Sequence, residues 1–349
     1  MKKKKSIYGT TLDTLKLTVS EMGLKPFVAS QVLSWIYKKN VTDARMMTNI
    51  SNDTKSILFQ ALSFERFKSV VQIPSEDERA IKLICELQDG QKIECVVLKE
   101  KSHLTLCVSS QVGCPVDCKF CLTGVAGFKR NLDASEIVMQ VLEAKHLGFD
   151  IKNLVFMGMG EPLLNYDQLF SAIEILNADW GYNIGARHIT ISTSGYLASI
   201  NRLIEENRFV NLAFSVGSAF PTTRNRIMPI EERNPILKVA RRLHDYLKLH
   251  NRKLTLEYTL LKSVNDSDFE IDGLINLAKY LDAKINLINL NPHEKIPFTP
   301  IDSDSLIRIK QRIKSAGARV TVRFKKGQDI AAACGQLGES ILLNQSKLR

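Results

Sequence analysis

Cys114-Pro115-Val116-Asp117-Cys118-Lys119-Phe120-Cys121 sets three cysteines at C-x3-C-x2-C spacing, with no fourth cysteine close by. Thiolates so spaced suit an iron-sulfur cluster, and three of them leave one iron of a 4Fe-4S cube without a protein ligand. That iron is open to a substrate or cofactor. A structural zinc site wants a closed tetrahedral set, usually from two C-x2-C pairs. The nearest other cysteine, Cys107, lies on the wrong side of Val112-Gly113 for a second knuckle. A thioredoxin-like reading of Cys118-Lys-Phe-Cys121 leaves Cys114 unexplained. Cys114, Cys118 and Cys121 are therefore read first as cluster ligands, ahead of zinc and ahead of redox or merely buried thiols.

Outward from this loop, apolar strand-like runs alternate with helical periods. Strands are predicted at 104–109, 153–157, 188–192, 210–215, 254–260, 284–290 and 319–324, with helices near 133–146, 166–176, 197–205, 235–249, 268–281 and 304–315. Asp133 and Glu136 open the first helix with a D-x-x-E capping pattern. The alternation predicts an α/β fold, a parallel sheet with helices outside, as an open wound sheet or a full or partial barrel. Chemistry in such folds gathers beyond the carboxyl ends of the strands. The cysteine loop follows the first strand and Gly158-Met-Gly160-Glu161-Pro162 the second. Ser192-Thr-Ser194-Gly195 ends the third, Ser215-Val216-Gly217 the fourth, Asn291-Pro292 follows the sixth, and Cys334 lies past the seventh. One rim carries them all, which argues for one site facing the cluster.

Upstream, residues from about Thr11 to Leu62 read as a small helical module. Val28, Val32, Leu33, Ile36 and Tyr37 recur at helical spacing, and Ser51-Asn-Asp-Thr54 offers a cap for a further helix. A β-hairpin follows: Ile81 to Leu87, a turn at Asp89-Gly90, then Ile93 to Leu98. The expected organisation is a helical accessory domain over 1–65 that contacts RNA, a hairpin linker over 66–100, a core over 101–335 and a tail over 336–349. The chain has 349 residues, 44% of them hydrophobic and 24% charged, as in an ordinary globular protein. Its 48 Lys and Arg against 37 Asp and Glu give +11, an excess that favours a polyanionic partner such as nucleic acid. Met1-Lys-Lys-Lys-Lys5 imitates the start of a signal peptide, but Thr10, Thr11, Asp13 and Lys16 follow where an apolar stretch would be needed. No uncharged run of about 18 apolar residues is present, so no membrane span is expected. Seven cysteines without an export signal point to metal or redox chemistry in a reducing, cytoplasmic setting.

Beside an open iron, a molecule bearing an amine and a carboxylate is a natural chelator, and S-adenosylmethionine has both. Glu161 supplies a charge for its ammonium group, and the glycines allow close approach to backbone. Electron transfer into the sulfonium would then give a 5′-deoxyadenosyl radical. Cys107-Val-Ser-Ser-Gln-Val-Gly-Cys114, Gly127-Phe128-Lys-Arg130-Asn131-Leu132, Met157 to Asn165, Asn291-Pro292 and Asp329-Ile330-x3-Cys334-Gly-Gln-Leu337 resemble, in that order, the radical-SAM RNA adenine methyltransferases of the RlmN/Cfr group. Ser30-Gln31-x3-Trp35-x-Tyr37-Lys38 fits that group's accessory domain.

The resemblance implies a partial (β/α) radical-SAM barrel and assigns roles. Cys114, Cys118 and Cys121 would hold the 4Fe-4S cluster, and Gly160, Glu161, Ser192, Ser215, Val216, Gly217 and Asn291 would line the S-adenosylmethionine site. Cys334 would accept a methyl group, lose a hydrogen from it, and add the resulting methylene radical to an adenine ring carbon. Cys107 would resolve the adduct through a transient disulfide with Cys334, and either Cys107 or Glu94 would take the ring proton. The chemistry suits these residue types. An amidine carbon is electrophilic, so direct polar methylation is poor, and a thiolate both attacks well and leaves by disulfide formation. From the residues alone, Cys334 in Ala331-Ala-Ala-Cys334 reads as a small buried side chain, as do Cys85 and Cys95. Glu94 reads as an ordinary exposed carboxylate in a strand.

The implied substrates are an adenosine of 23S rRNA and the adenosine 3′ of the tRNA anticodon, methylated at carbon 2 by a monomer that draws electrons from a flavodoxin-like or ferredoxin-like donor. Pro162-Leu-Leu-Asn165 resembles the C2 enzymes more than the C8 relatives, which usually replace that proline by alanine. C8 methylation and an iron-sulfur RNA-binding or electron-transfer protein without methyl transfer are the alternatives. One departure stands out: Ser215-Val216-Gly217 replaces the group's usual Ser-Leu-His.

Overall fold

Among the described residues, ten strands of one sheet lie side by side in the order in which the chain makes them. They are β1 Ser69–Pro74, β2 Ala80–Glu86, β3 Lys92–Lys99, β4 Leu104–Cys107, β5 Ile151–Phe156, β6 Ile189–Thr193, β7 Asn211–Ser215, β8 Thr255–Leu260, β9 Lys284–Asn289 and β10 Val320–Val322. The computed structural model describes residues 4–41, 43–250, 252–323 and 326–346, with side chains only to 342. Phe324, expected to end the last strand, and Lys2 and Lys3 of the basic opening lie outside the described residues.

From β4 to β10 every pairing is parallel. The crossovers run through α4 Ala134–His146, α5 Tyr166–Asn177, α6 Leu197–Glu205, α7 Pro221–Ile227, α8 Ile236–His250, α9 Asp268–Tyr280 and α10 Ser303–Ser315. Seven parallel strands in sequential order, each returning through a helix, wind helices over the outer face and curl the sheet around a lumen. Caps fix where these helices start. Asp133 accepts from the Glu136 N–H while the Glu136 carboxylate accepts from the Asp133 N–H, and Asp302 caps α10 through the Ser305 N–H. Each cap contributes about 1 kcal/mol.

The hairpin does not stand apart as a linker. β1, β2 and β3 extend the main sheet in antiparallel fashion, with Val96 opposite Cys107 on β4. Directly opposed residues share a face, so Cys107, Val96, Glu94 and Lys82 look to one side, and Cys85 and Cys95 to the other.

The N-terminal module comprises α1 Leu12–Glu21, α2 Phe27–Leu33 and α3 Asn52–Ala61, with a single wide turn over Ser34–Lys38 continuing α2. It shares one core with the barrel. Tyr37 donates to the Tyr8 carbonyl at 2.8 Å and meets Tyr182 edge-on, while Arg66 pairs with Glu143 of α4. A last helix, α11 Glu339–Ser346, packs on β3. Among the described residues no helix is long and apolar enough to cross a membrane.

Candidate cluster and cofactor site

The loop after β4 holds the three cysteines by backbone bonds to three other segments. Cys114 N–H donates to the Gly127 carbonyl at 3.3 Å, Lys119 N–H to Ile227 at 2.9 Å, and Leu122 N–H to Gly335 at 2.7 Å. Cys114, Cys118 and Cys121 all line one cavity of about 170 Å³. Burial pushes the Cys114 and Cys118 thiols well up, so binding a metal must displace their protons. Among the described residues no group of three Cys, His, Asp or Glu converges closely enough to hold one ion. Three thiols on one cavity wall fit a cluster, in which each iron takes its own thiolate.

Opposite the cysteines stand the strand ends. Glu161 is buried, and its carboxylate accepts from the Ser194 N–H at 2.8 Å, the Ser194 hydroxyl at 2.7 Å and the Leu163 N–H at 3.3 Å. Burial raises its pKa while those donors oppose the shift, so it welcomes a cation. Gly160 lines the cavity at φ +102, and a Cβ there would meet the Gln111 side chain at 2.6 Å. Its glycine is therefore required by close packing on the loop after β4 as well as by the turn. The Ser192 and Ser215 hydroxyls lie 3.4 Å apart at the ends of β6 and β7, and both line the cavity. Gly217 lines it too, whereas Val216 is buried away from it. Asn291 donates its amide N–H to the Cys334 carbonyl at 3.0 Å and leaves Oδ1 buried without a partner. That oxygen is an acceptor awaiting a ligand donor. Carboxylate, paired hydroxyls, orphan amide oxygen and cysteine wall together match the amine, ribose and sulfonium of S-adenosylmethionine.

A second, larger cavity of about 540 Å³ runs down the lumen. Cys334 and Arg323 line both cavities, and Cys107 lines the second. Burial, reinforced by neighbouring Cys334, pushes the Cys107 thiol up to about 12, so it is protonated at neutral pH. Both thiols are free. Glu94 corrects the sequence reading. Far from exposed, it is wholly buried, and its carboxylate accepts from the Gly338 N–H at 3.1 Å and the Ser340 N–H at 2.9 Å.

Residues 108–272 match the Radical SAM superfamily, and residues 6–63 match the Ribosomal RNA large subunit methyltransferase N-terminal domain. The chain is 37% identical to a probable dual-specificity RNA methyltransferase RlmN of Dictyoglomus turgidum over 98% of its own length and 99% of the relative's. It is 38% identical to the protein of the same description from Aquifex aeolicus, over 94% and 95%. The chain belongs to the RlmN family of radical-SAM RNA methyltransferases. The crystal structure of a radical SAM methyltransferase from Sphaerobacter thermophilus superposes with a TM-score of 0.91 at 36% identity, covering 95% of this chain and 99% of that one. Membership in the RlmN family implies a 4Fe-4S cluster and S-adenosylmethionine, and the cavity suits both.

The RlmN-type site also depends on residues that spacing could not single out. Arg224, on α7, is wholly buried. Its guanidinium donates to the Val216 carbonyl at 2.9 Å, the Ser194 carbonyl at 2.6 Å and Glu231 at 2.6 Å. One side chain thus ties together the ends of β6 and β7. Asn265 similarly holds the Gly217 carbonyl at 2.7 Å. Glu257 lines the cofactor cavity and accepts from Asn286 at 2.8 Å, with burial raising its pKa. Only Arg224-Asn-Arg-Ile-Met-Pro229, a basic run after a strand end, carried a signal that could have been read.

Proposed function

We propose that this protein methylates carbon 2 of an adenosine in 23S rRNA and of the adenosine 3′ of a tRNA anticodon. The observation that carries this reading is the position of Cys334, a thiol in the wall between a cysteine-lined cavity and a lumen it shares with Cys107. Relatives described as dual-specificity RNA methyltransferases support the two substrates.

Cys114, Cys118 and Cys121 would hold the cluster, and Gly160, Glu161, Ser192, Ser215, Gly217 and Asn291 would hold S-adenosylmethionine, with Val216 shaping the loop. When bound, the pair supplies methyl groups and, after one-electron reduction, a radical that abstracts hydrogen. Cys334 takes a methyl on its sulfur, gives up a hydrogen atom from it, and the remaining carbon bonds to the adenine ring in the larger cavity. Cys107, held as a thiol facing the same lumen, would first shed its own proton; its thiolate would then accept the ring proton, hand it to the freed methylene carbon and form a disulfide with Cys334 as the carbon-sulfur bond breaks, the one surplus electron returning to the electron-transfer partner. Arg323 stands beside both thiols and offsets negative charge that develops on either sulfur. Met157, whose sulfur lies 3.6 Å from the Arg323 guanidinium, closes the floor between the cavities.

The excess of 11 positive charges supports phosphate contacts, so RNA affinity should fall steeply as salt rises. The N-terminal module presents Lys38, Lys39 and Arg45 at its surface for such contacts. We place the reaction in the cytoplasm, in a monomer served by a flavodoxin-like or ferredoxin-like donor. The test is nucleoside mass spectrometry of rRNA and tRNA from a host lacking its own enzyme, with and without this chain. Gain of 2-methyladenosine in both RNAs is expected. Gain of 8-methyladenosine would reassign the ring carbon, and no new nucleoside with an intact cluster would remove methyl transfer altogether.

A further inference from the structure

Glu94 has the surroundings of an anchor. It lines neither cavity, although it shares a sheet face with Cys107. Both carboxylate oxygens are taken by backbone N–H groups at the start of α11, and its own carbonyl accepts from the Ser109 hydroxyl at 2.5 Å. Beside it on the same face, buried Lys82 lies 3.8 Å from Glu339 of α11. A negative charge at a helix N-terminus forms strong, directional hydrogen bonds.

What is anchored is the segment that carries Cys334. Only three residues separate Cys334 from Gly338. Between them the chain is clamped on both sides. Asn291 donates to the Cys334 carbonyl and Gln336 to the Pro292 carbonyl at 3.4 Å, while Leu122 N–H and the Thr123 hydroxyl donate to the Gly335 and Leu337 carbonyls at 2.7 and 2.6 Å. Each of these clamps is a hydrogen bond between neutral groups. Glu94 adds a carboxylate to the tie that Lys82 makes with Glu339, and through two backbone N–H groups it closes the far end of the strap. We propose that Glu94 is a positioning residue: by seating the start of α11 it holds the Cys334 loop in the wall between the two cavities.

This inference rests on the reading of Cys334 as the methyl acceptor, and it makes a different demand from a proton-accepting role. A group that only removes the ring proton is idle when Cys334 is methylated, because no RNA is then required. A group that holds the Cys334 loop matters at that first step.

Two variants separate the roles. Glu94→Gln keeps the shape and exchanges one acceptor for a donor. Ser340→Pro deletes one N–H donor and leaves Glu94 intact, at a first-turn helix position that tolerates proline. In reconstituted holoenzyme without RNA, the mass of the Cys334 peptide reports methylation, and hydrogen exchange reports the order of residues 336–346. Both variants should slow Cys334 methylation by about tenfold or more and speed exchange in that segment. Wild-type methylation rates in both would overturn the positioning role, and so would unchanged exchange, which depends on no reaction. If the wild-type protein gained no methyl on Cys334 while exchange responded to both variants, the anchor would stand and the functional reading would fall.

Discussion

The parallel and antiparallel halves of the sheet carry function in different places. From β4 to β10 the strands lend chiefly their carboxyl ends to the site, with Glu257 reaching it from the middle of β8, and most other residues along their lengths are core or lumen wall. In β1 to β3 the ends are hairpin turns, and what matters is which face a side chain takes. Glu94 looks to the side that meets α11, and Cys85 and Cys95 look to the core, although Glu94 and Cys95 are neighbours in sequence. Loops can vary at the end of a strand without disturbing its ladder, whereas a one-residue change of register would exchange anchor and core.

The sharpest break in this contrast should come from the strand-end side. Arg224→Met leaves Glu231 buried and releases the Val216 and Ser194 carbonyls. We expect a loss of about 3–5 kcal/mol in denaturant unfolding, together with loss of S-adenosylmethionine binding in calorimetry. Retained binding at wild-type affinity would show that the β6 and β7 ends are held independently of this arginine.

Gly217 comes next. Its φ is +69, and a Cβ there would lie 2.4 Å from the Met228 sulfur. Met228 fills the space beside Gly217, and the loop is fixed through Arg224 and Asn265. Gly217→Ala should cost about 1–3 kcal/mol from left-handed strain and weaken cofactor binding more than it alters folding cooperativity. Tighter binding in that variant would mean the loop adopts another conformation when loaded.

On the antiparallel half, Cys95→Ala should be mild. Its hydrogen bond with Cys85 and its burial both raise the Cys95 thiol pKa, so it is an inert core group. We expect about 1 kcal/mol of destabilisation and an unchanged rate of RNA methylation. A large drop in turnover would give the Cys85 and Cys95 face of the hairpin a chemical part. The smallest effect belongs to the turn between β1 and β2. There Asp77, held by the Arg79 N–H, the Ser75 hydroxyl and the Arg79 guanidinium, has its pKa lowered to about 2. A depressed carboxyl stabilises the fold fully above its unfolded value of 3.8 and stops doing so as pH falls through about 2. The stability difference between wild type and Asp77→Asn should therefore shrink between pH 4 and pH 2, and a difference constant over that range would contradict the assignment.

The same contrast explains what could be read in the chain. The parallel strands and their helices are legible because each is a local period closed by a local cap, as at Asp133 with Glu136. The C-x3-C-x2-C loop and Gly158-Met-Gly160-Glu161 are legible because they break that period at fixed places. β1 escaped notice because Ser69–Pro74 is an edge strand with little burial and no clean alternation. Arg224, Glu257 and Arg323 escaped because a charged side chain in a helix, strand or strand end looks solvated until its partners from distant segments are known. Glu94 was picked out by likeness to a family, and its burial under α11 depends on a segment 244 residues further along the chain.

The most direct measurement follows the carbon. Reconstituted protein is first allowed to methylate Cys334 from S-adenosylmethionine carrying a deuterated methyl group. The labelled cofactor is then removed, and RNA, reductant and unlabelled S-adenosylmethionine are supplied for a single turnover. Label in the new 2-methyladenosine, with Cys334→Ala giving no product, is the expected result. An unlabelled first product would contradict the account, because the methyl group would then have reached adenine without passing through Cys334.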